Sequence, residues 1–523
     1  MMRDLPLRAV HAAYRLSLGP ARRRFERAAG ACEATQHERL RALLRANAAS
    51  AYGRAHGFGS ITSVRDWQDH VPIVGYDALE PWVQRAARGE AGVLTTAPVR
   101  LFERTSGSTA ANKLVPCTDG LLAEFAAATG PWLHDVYTAR PALRGTTSYW
   151  SISPATRVGE RTEGGIAVGF DDDTEYFGGL ARHALRRTLA VPPSVARIAE
   201  MDAWAKATAL HLAAARDLGL VSVWHPSFFT LLLRHIEQHL DELLPALTPP
   251  RAAEIRARLG SCSLAEALWP RLSLVSCWTD GAAGEPAAAL RRCVPHAEVQ
   301  PKGLLATEGV VSFPLFDGTR SHNVAAVAGH FLEFIDLETP AARPRLAHEL
   351  RPGAAYAPVL STAGGFYRYR LGDAVRCDGF HVRAPRLRFE GRVDHVSDVC
   401  GEKLSAGWVA AALERVQKQT GLSLAFALVA PAAGDPPRYH LYAEGIEAGA
   451  LDAFVGHLER ALSESGGYRY ARSLQQLGPL EAVAVRDGAA RYIRACAAAG
   501  QRPGNVKPSC LDTRSHWHEV FAS

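Results

Sequence analysis

The sequence predicts an α/β protein with a large N-terminal domain and a smaller α+β domain at the C-terminus. The length of 523 residues is enough for more than one domain. Short apolar segments alternate with longer, Ala-rich amphipathic segments, which is typical of strands and helices packed in layers. The pattern changes near Gly391–Asp394, so we expect domains at 1–392 and 393–523.

The N-terminal domain is expected to begin with helices, because residues 1–90 carry apolar side chains at helical spacing. A strand over 97–104 leads into a polar loop. The further predicted elements are helices over 117–140, 197–217 and 285–293, a strand over Leu272–Cys277 that ends in a turn at Thr279–Gly281, and strands that alternate from 322 to 390.

The C-terminal domain is predicted to mix strands and helices. Two strands, Phe426–Val429 and Tyr439–Ala443, are separated by a linker over Ala430–Pro437. The elements expected after them are a helix over 448–464, a strand over Ala482–Val485 and a helix over 488–499.

Composition and charge exclude several classes of protein. A chain with 47% apolar and 21% charged residues is neither disordered, nor collagen-like, nor a disulfide-rich miniprotein. The net charge of +6 on so long a chain gives no reason to expect a nucleic-acid partner. No apolar run is long enough to span a membrane, and nine scattered cysteines without a C-x-x-C pair predict free thiols in a reducing cytoplasm.

The first motif is a polar segment, Thr105-Ser106-Gly107-Ser108-Thr109, followed by Lys113. Small hydroxylated residues allow backbone N–H groups and hydroxyls to approach phosphate oxygens, and a lysine adds a mobile cation. The alternative is an ordinary Ser/Thr-rich loop. The segment is not a Walker loop, because the sequence contains no G-x-x-x-x-G-K-[ST].

Two further motifs place a carboxylate beside an expected strand. Thr307-Glu308 ends a strand-like run, and Glu308 could hold Mg²⁺ close to phosphates. Gly372-Asp373 closes the segment that begins at Tyr367, where Asp373 could bind ribose hydroxyls. Taken singly, such residues more often belong to a solvated turn than to a site.

The remaining motifs lie at and beyond the expected domain boundary. Gly391-Arg392-Val393-Asp394 is followed by Gly401-Glu402-Lys403, and Lys507 stands near the end of the chain. These segments could form a hinge with an arginine facing phosphate, or a solvated linker and a loop lysine.

The order of these motifs resembles the adenylate-forming superfamily of acyl-CoA synthetases, adenylation domains and luciferases. The motifs match its T-S-G-S-T-G-x-P-K, Y-G-x-T-E, Y-x-x-G-D and G-R-x-D patterns, with Ala110, Asn112 and Leu304 as departures. A closer resemblance, over nearly the whole chain, is to the plant auxin-responsive acyl-acid amido synthetases and their bacterial relatives. It rests on Trp269–Glu308, on YRLGDAV at Tyr369–Val375, and on Tyr468–Pro508. Three of the six lysines (113, 403 and 507) fall in the motifs, which random placement would rarely produce.

The resemblance implies an ATP- and Mg²⁺-dependent ligase whose C-terminal domain is a mobile lid. Such an enzyme converts a carboxylic acid to an acyl-adenylate and transfers the acyl group to an amine, with amino acids as the expected acceptors. Its implied roles are phosphate binding by Thr105, Ser106, Gly107, Ser108, Thr109, Lys113 and Arg392, nucleotide binding by Thr307 and Lys403, ribose binding by Asp373, a Mg²⁺ contact by Glu308, a hinge at Asp394, and a bridge from Lys507 to the α-phosphate and the attacking carboxylate.

Two other functions stay open on the sequence alone. An acyl-CoA or acyl-carrier ligase would share the first half-reaction and use a thiol acceptor. A degenerate nucleotide- or acyl-binding module is the second alternative, because Leu304 replaces a tyrosine that lies against adenine in the family. His235 and His239 have a metal-chelating spacing without an evident third ligand, and Trp224–Phe229 could line an acyl pocket or belong to the core.

Overall fold

The protein is described by a computed structural model in which helices surround several β-sheets, so the predicted α/β fold class is confirmed. The described residues are 4–104, 113–150, 159–169, 187–198, 200–393, 396–397, 399–400, 402, 404–434, 436–499, 501, 506 and 508–522.

The predicted N-terminal helices are present, and local capping explains where several begin. Ser63 and Asp66 form a capping box, and the Thr118 hydroxyl accepts from the Leu121 amide. The α-helices of the described residues are α1 Asp4–Gly30, α2 Cys32–Asn47, α3 Ala51–Ala55, α4 Val64–His70, α5 Tyr76–Ala87, α6 Asp119–Ala139, α7 Met201–Ala214, α8 Pro226–Gln238, α9 Leu240–Ala246, α10 Pro249–Arg258, α11 Leu264–Leu268, α12 Gly284–Cys293, α13 Ala406–Thr420, α14 Ala448–Leu462, α15 Gly466–Ser473, α16 Gly488–Ala498 and α17 Trp517–Ala522.

The longest strands, β16 (Asp373–His381) and β17 (Ala384–Arg392) with nine residues each, lie in the central antiparallel sheet. The strands of the described residues are β1 Leu101–Arg104, β2 Leu114–Cys117, β3 Thr147–Trp150, β4 Ala167–Val168, β5 Leu218–Ser222, β6 Leu274–Cys277, β7 Glu298–Pro301, β8 Leu305–Ala306, β9 Gly309–Val310, β10 Ser312–Phe316, β11 Ser321–Ala325, β12 Phe331–Asp336, β13 Arg345–Leu346, β14 Ala355–Ser361, β15 Tyr369–Arg370, β16 Asp373–His381, β17 Ala384–Arg392, β18 Val396–Ser397, β19 Leu404–Ser405, β20 Phe426–Ala432, β21 Arg438–Glu444 and β22 Glu481–Ala484.

The central sheet is antiparallel and has the order β10-β11-β17-β16-β14-β12-β13, with β15 paired to β14. Its apolar side chains share one hydrophobic core with residues from α1 to α6. The long β16–β17 hairpin brings Asp373, the first residue of β16, opposite Arg392, the last residue of β17. Pairing in this sheet therefore joins two of the predicted motifs.

A second, parallel sheet has the order β3-β5-β6-β7 and its own core beneath α7, α8 and α12. All four strands point the same way, so their carboxyl ends meet along one edge. Trp150 pairs with Ser222 at this edge, and Cys277 pairs with Pro301. Edges of this kind are the usual ligand-binding edges of α/β proteins.

Residues beyond 404 pack around a third sheet with the order β20-β21-β22. Alternate side chains of β21 point to opposite faces, as period-two strand geometry requires. Leu441 packs with Phe454 and Leu458 of α14 on one face, and Tyr442 packs with Trp517 on the other.

One predicted boundary is wrong, because β20 continues through Pro431 to Ala432 instead of giving way to a linker at Ala430. Ordered pairing with β21 continues to Arg438, which leaves only 433–437 as the connection. The proline is tolerated because β20 lies at the edge of its sheet, where a missing N–H breaks no central ladder. Across the described ranges, every helix is too short or too polar to cross a bilayer.

Candidate active site

The structure describes five of the predicted site residues: Lys113, Thr307, Glu308, Asp373 and Arg392. The others lie outside the described residues. They are Thr105, Ser106, Gly107, Ser108, Thr109, Asp394, Lys403 and Lys507.

Asp373 and Arg392 form an ion pair across the β16–β17 hairpin. Arg392 Nε lies 3.6 Å from Asp373 Oδ1, and an Nη of Arg392 donates to the Leu371 carbonyl at 3.1 Å. Gly372 precedes the aspartate with a φ of +76°, a conformation that favours glycine. Its carbonyl accepts from the Val393 amide at 2.7 Å, so both motifs are held together by backbone as well as by charge.

Tyr369 connects this pair to Glu308. Its buried hydroxyl donates to Glu308 Oε1 at 3.1 Å. Burial and the Glu308 carboxylate raise the pKa of Tyr369 well above its usual range, with a smaller contribution from Asp373 and an opposing one from Arg392. The phenol therefore stays protonated and keeps Glu308 oriented. Three predicted residues thus surround one tyrosine, although they come from separate segments.

Thr307 and Glu308 directly follow the short strand β8, in agreement with their predicted place at the end of a strand-like run, and they form the two-residue turn of a hairpin. Leu305 pairs with Val310, and Ala306 pairs with Gly309, so the carboxylate-bearing turn projects from two short strands. The return strand β9 has no periodic sequence pattern that could predict it, because each of the two strands is only two residues long.

A buried histidine fixes this hairpin. The Val310 amide donates to His330 Nε2 at 2.9 Å, and His330 Nδ1 lies 2.9 Å from Glu124 Oε2. Because Nε2 accepts, the network places the ring proton on Nδ1, from which it is donated to Glu124. Glu124 also accepts from the Ala363 amide at 2.9 Å. Glu124 and His330 stand 206 positions apart, and no sequence signal singles them out.

An aromatic row connects Lys113 to the same site. Lys113 Nζ lies 5.3 Å from the centroid of the Tyr76 ring, within cation–π range. Phe366 contacts Tyr76 on one side and Tyr369 on the other, with centroid distances of 6.2 and 5.0 Å. Burial raises the pKa of Tyr76 to about 12, and the charge of Glu308 contributes to the rise. Lys113 and Glu308 therefore lie against the same row of aromatic rings, Lys113 at Tyr76 and Glu308 at Tyr369.

Leu304, which stands where the superfamily motif has a tyrosine, has a packing role in the structure. Leu304 is buried in the core of the central sheet, and its amide donates to Ser312 Oγ at 3.0 Å. The residue is thus used for packing at the base of the Thr307–Glu308 hairpin. Burial of an apolar side chain of this size stabilises the fold by about 1.5–3 kcal/mol.

A buried carboxylate organises the segment just before Lys403. Glu402 accepts from the amides of Val399 and Cys400 at 2.8 Å and from the Tyr439 hydroxyl. Burial raises the pKa of Glu402, but the hydrogen bonds from Tyr439 and the two amides outweigh it and leave the pKa below its usual range. The carboxylate remains charged at neutral pH and stabilises this turn.

The other candidate residues named from the sequence, the His235–His239 pair and the segment Trp224–Phe229, lie outside this group of residues. The rings of His235 and His239 lie 4.5 Å apart, and within the described ranges no group of three or more His, Cys, Asp or Glu side chains is arranged to hold a metal. Phe228 and Phe229 belong to the core of the parallel sheet, whereas Trp224 is partly exposed at the carboxyl edge of that sheet.

Comparison with known proteins identifies the family. Three models match: the GH3 family N-terminal domain at 21–248, its central domain at 324–392 and its C-terminal domain at 408–515, which together span about three quarters of the chain. A probable indole-3-acetic acid-amido synthetase of Oryza sativa subsp. japonica is 25% identical, over 93% of this chain and 92% of its own. A GH3 domain-containing protein of Homo sapiens is 30% identical over 48% of this chain and 50% of its own.

The fold also matches that of a solved GH3 structure. The solved structure of the acyl acid amido synthetase GH3.15 superposes with a TM-score of 0.81, at 18% identity, over 95% of this chain and 94% of its own. The resemblance to acyl-acid amido synthetases that the motifs indicated is thereby confirmed. The chain belongs to the GH3 family.

Proposed function

We propose that this protein is an ATP-dependent acyl-acid amido synthetase. The observation that carries the proposal is the meeting of Lys113, Glu308, Asp373 and Arg392 around the row formed by Tyr76, Phe366 and Tyr369. These residues come from four motifs that occur in the sequence in the order typical of adenylate-forming enzymes. Their combination of two cations and two carboxylates in one place suits a nucleoside triphosphate.

Each residue has a role that its chemistry supports. Asp373 presents acceptors for ribose hydroxyls at the start of β16, and Lys113 and Arg392 attract phosphate oxygens from two sides. The pair of Asp373 and Arg392 keeps both side chains at the site before the nucleotide arrives. Thr307 lies beside Glu308 in the same turn, where its hydroxyl can donate to phosphate.

The donor set also fits Mg²⁺. The ion commonly takes one or two protein carboxylates and completes its shell with phosphate oxygens and water. Glu308 is the carboxylate that would hold it, on a hairpin fixed by His330 and oriented by Tyr369. Bound there, Mg²⁺ would neutralise charge on the phosphates.

The reaction proceeds in two steps. A carboxylate oxygen of the acid attacks the α-phosphorus of ATP, the bond to pyrophosphate breaks, and an acyl-adenylate forms. An amine, in our proposal that of an amino acid, then attacks the acyl carbon and releases AMP together with a proton. The protein contributes positioning and the neutralisation of negative charge at phosphate.

The undescribed motif residues complete the proposal. Thr105, Ser106, Gly107, Ser108 and Thr109 would surround the phosphates, and Lys507 would bridge the α-phosphate and the attacking carboxylate. Lys403 would contact the nucleotide from the C-terminal side. We place the hinge at Asp394, next to the boundary of domains 1–392 and 393–523, and the second domain acts as a lid between the two half-reactions.

Hydroxylamine trapping tests the first half-reaction. With ATP and a panel of carboxylic acids, we expect pyrophosphate release and a hydroxamate from at least one acid. Asp373→Asn should lower kcat/KM for ATP by about 10–100-fold through the loss of charge-assisted hydrogen bonds. Asp378→Asn is the matched control, because it breaks another aspartate–arginine pair of the same hairpin, with Arg388 at 2.9 Å.

The second half-reaction distinguishes acceptors. Amino acids added to the adenylate should accelerate AMP release, whereas acceleration by coenzyme A alone would indicate a thiol-dependent ligase. Failure of every acid to yield pyrophosphate or hydroxamate would refute the proposed enzyme activity.

A further inference from the structure

A cavity of about 450 Å³ lies at the amino edge of the parallel sheet, the edge opposite the carboxyl ends of its strands. We call it the amino-edge cavity, and its polar lining includes Arg8, Arg144, Arg271, Ser273 and His296. Ser273 directly precedes β6, and His296 lies two residues before β7. The volume is within the range of small-molecule sites. The described residues that line the cavity include no residue of the candidate active site.

Three arginines from separate parts of the chain meet at this cavity, and Gly145 connects them. Its amide donates to His11 Nδ1 of α1 at 3.0 Å, and its carbonyl accepts from an Nη of Arg271 at 3.4 Å. A Cβ on Gly145 would lie 2.8 Å from Arg8 Cγ, and the residue has a φ of +84°. Glycine therefore lets the stem of Arg8 cross the backbone directly beside Arg144.

The carboxylates near the cavity already have basic partners. Asp217 lies 3.3 Å from Arg271, so that arginine is matched by a negative charge. Glu266 is the acidic residue among the described residues that line the cavity, and it lies 4.0 Å from Arg258. These pairs leave no carboxylate of the described lining to neutralise the other two arginines.

Arg8 and Arg144 give the cavity its excess positive charge. Within the described ranges neither forms an ion pair with a carboxylate, and Arg144 Nε donates to the Tyr137 carbonyl at 3.3 Å. Both Nη groups of Arg144 are thus still able to donate. Arg8 is exposed and Arg144 is half-buried, so a ligand from solvent can reach both guanidinium groups.

Two other lining residues have polar atoms that lack a hydrogen-bond partner among the described residues, Ser273 Oγ and His296 Nδ1. The other nitrogen of the histidine, Nε2, lies 3.3 Å from the Trp269 carbonyl. A carbonyl can only accept, so Nε2 carries the proton of the neutral ring and Nδ1 is an acceptor. Buried polar atoms in native proteins are nearly always paired, which indicates that a bound group completes these hydrogen bonds.

We propose that the amino-edge cavity binds a small phosphate monoester that carries hydroxyl groups. Such an ester has a charge of about −1.5 to −2 at neutral pH, which two arginines match better than they match the single charge of a carboxylate. Planar guanidinium groups bind phosphate oxygens with two N–H groups at once. Ser273 would donate to the phosphate, a hydroxyl of the ligand would donate to His296, and Pro270 and Leu272 would contact the carbon body.

Matched ligands test the proposal by isothermal titration calorimetry of the full chain without ATP. Glycerol 3-phosphate, ribose 5-phosphate and glucose 6-phosphate are compared with glycerol, ribose and glucose, and with succinate as a dicarboxylic acid. At least one ester should bind about tenfold or more tighter than its parent alcohol and than succinate. The proposal would be overturned if no ester bound at concentrations up to about 10 mM, which corresponds to a binding free energy weaker than about −3 kcal/mol. Tighter binding of succinate than of every ester would also overturn it.

Variants assign the binding to the two arginines. Arg8→Met and Arg144→Met should each weaken binding of the ester by about tenfold or more, because each removes charge-assisted hydrogen bonds. Arg24→Met is the control, since Arg24 is also exposed on α1 but does not line the cavity, and it should leave the affinity unchanged. Circular dichroism checks the fold of each variant, and Arg8→Met alone decides should Arg144→Met not fold. Undiminished affinity in the folded arginine variants would overturn the proposal.

One further variant separates this cavity from the nucleotide site. Lys113→Met should leave the affinity for the ester unchanged, because Lys113 does not line the amino-edge cavity. Weaker binding in Lys113→Met, with unchanged binding in the arginine variants, would place the ester at the nucleotide site and overturn the proposal. The titration requires no pyrophosphate release, so a protein that forms no adenylate would refute the proposed function and leave this inference standing.

Discussion

Arg368 and Glu333 form a buried ion pair whose disruption should destabilise the protein strongly. Arg368 Nε and one Nη lie 3.1 and 3.0 Å from the two oxygens of Glu333, and the side chains are 3% and 0% exposed. Trp67 and Gln68 donate to the same carboxylate at 3.1 and 2.9 Å. Arg368 also has a φ of +47°, which a non-glycine residue rarely adopts, and it directly precedes Tyr369 of the candidate site.

The change we consider is Arg368→Met, which leaves the Glu333 carboxylate buried with neutral donors only. Breaking a buried pair from one side costs about 3–5 kcal/mol, because one charge stays desolvated and unpaired. The control is Arg343→Met, which removes a partner of Asp69 at 2.9 Å in a pair whose side chains are 42% and 49% exposed. Exposed pairs contribute about 0–1 kcal/mol.

Urea unfolding followed by tryptophan fluorescence measures both variants. We expect Arg368→Met to lower the free energy of unfolding by about 3–5 kcal/mol and Arg343→Met by less than about 1 kcal/mol. Adding Glu333→Gln to Arg368→Met should recover part of the loss, since the unpaired charge is removed. The reasoning would be refuted if Arg368→Met lost no more unfolding free energy than the control. It would also be refuted if the loss in the double variant equalled the sum of the losses in the two single variants.

Three further predictions concern the site and its surroundings. Lys507→Ala should reduce adenylate formation roughly 100-fold while circular dichroism stays unchanged, and undiminished pyrophosphate release would contradict the role of Lys507. Tyr369→Phe keeps the ring against Phe366 but removes the donor to Glu308, so unfolding should become easier by about 1–3 kcal/mol, as judged from the urea midpoint. Burial lowers the pKa of His225 to about 3, whereas the unfolded imidazole titrates near 6.5, so the unfolded state binds more protons between these values and stability falls as the pH falls through this window. In His225→Asn the slope of unfolding free energy against pH between about 6 and 4 should decrease by about 1.4 kcal/mol per unit, and an equal slope in both proteins would rule out this assignment.

Local patterns were sufficient for most of the helices and strands. Periodicity predicted the helices over 448–464 and 488–499, and the structure has α14 at Ala448–Leu462 and α16 at Gly488–Ala498. Period and propensity act within a few residues, so a single sequence reveals them. The end of β20 was predicted wrongly, because its extension to Ala432 is set by pairing with β21 and not by the residues of the segment itself.

The residues of the candidate site also fall into two groups, those that sequence motifs reveal and those that only the structure reveals. Lys113, Glu308, Asp373 and Arg392 belong to short motifs whose residue types and order are visible in the chain. Local sequence does not reveal the supporting residues, because each of them acts through a contact with a residue distant in sequence. These supporting residues are Glu124, His330, Tyr76 and Phe366. Tyr369 lies inside its motif, yet only its bond to Glu308 reveals what the hydroxyl does.

The sequence by itself determined which residues could carry charge to a phosphate group and in what order they occur, since these are properties of side chains and of the chain. Only the tertiary structure decided that β16–β17 pairing places Asp373 beside Arg392, and that α1 brings Arg8 to the same cavity as Arg144. Distances between segments depend on how sheets pair and cores pack over the whole molecule, and no local pattern of residues contains that information.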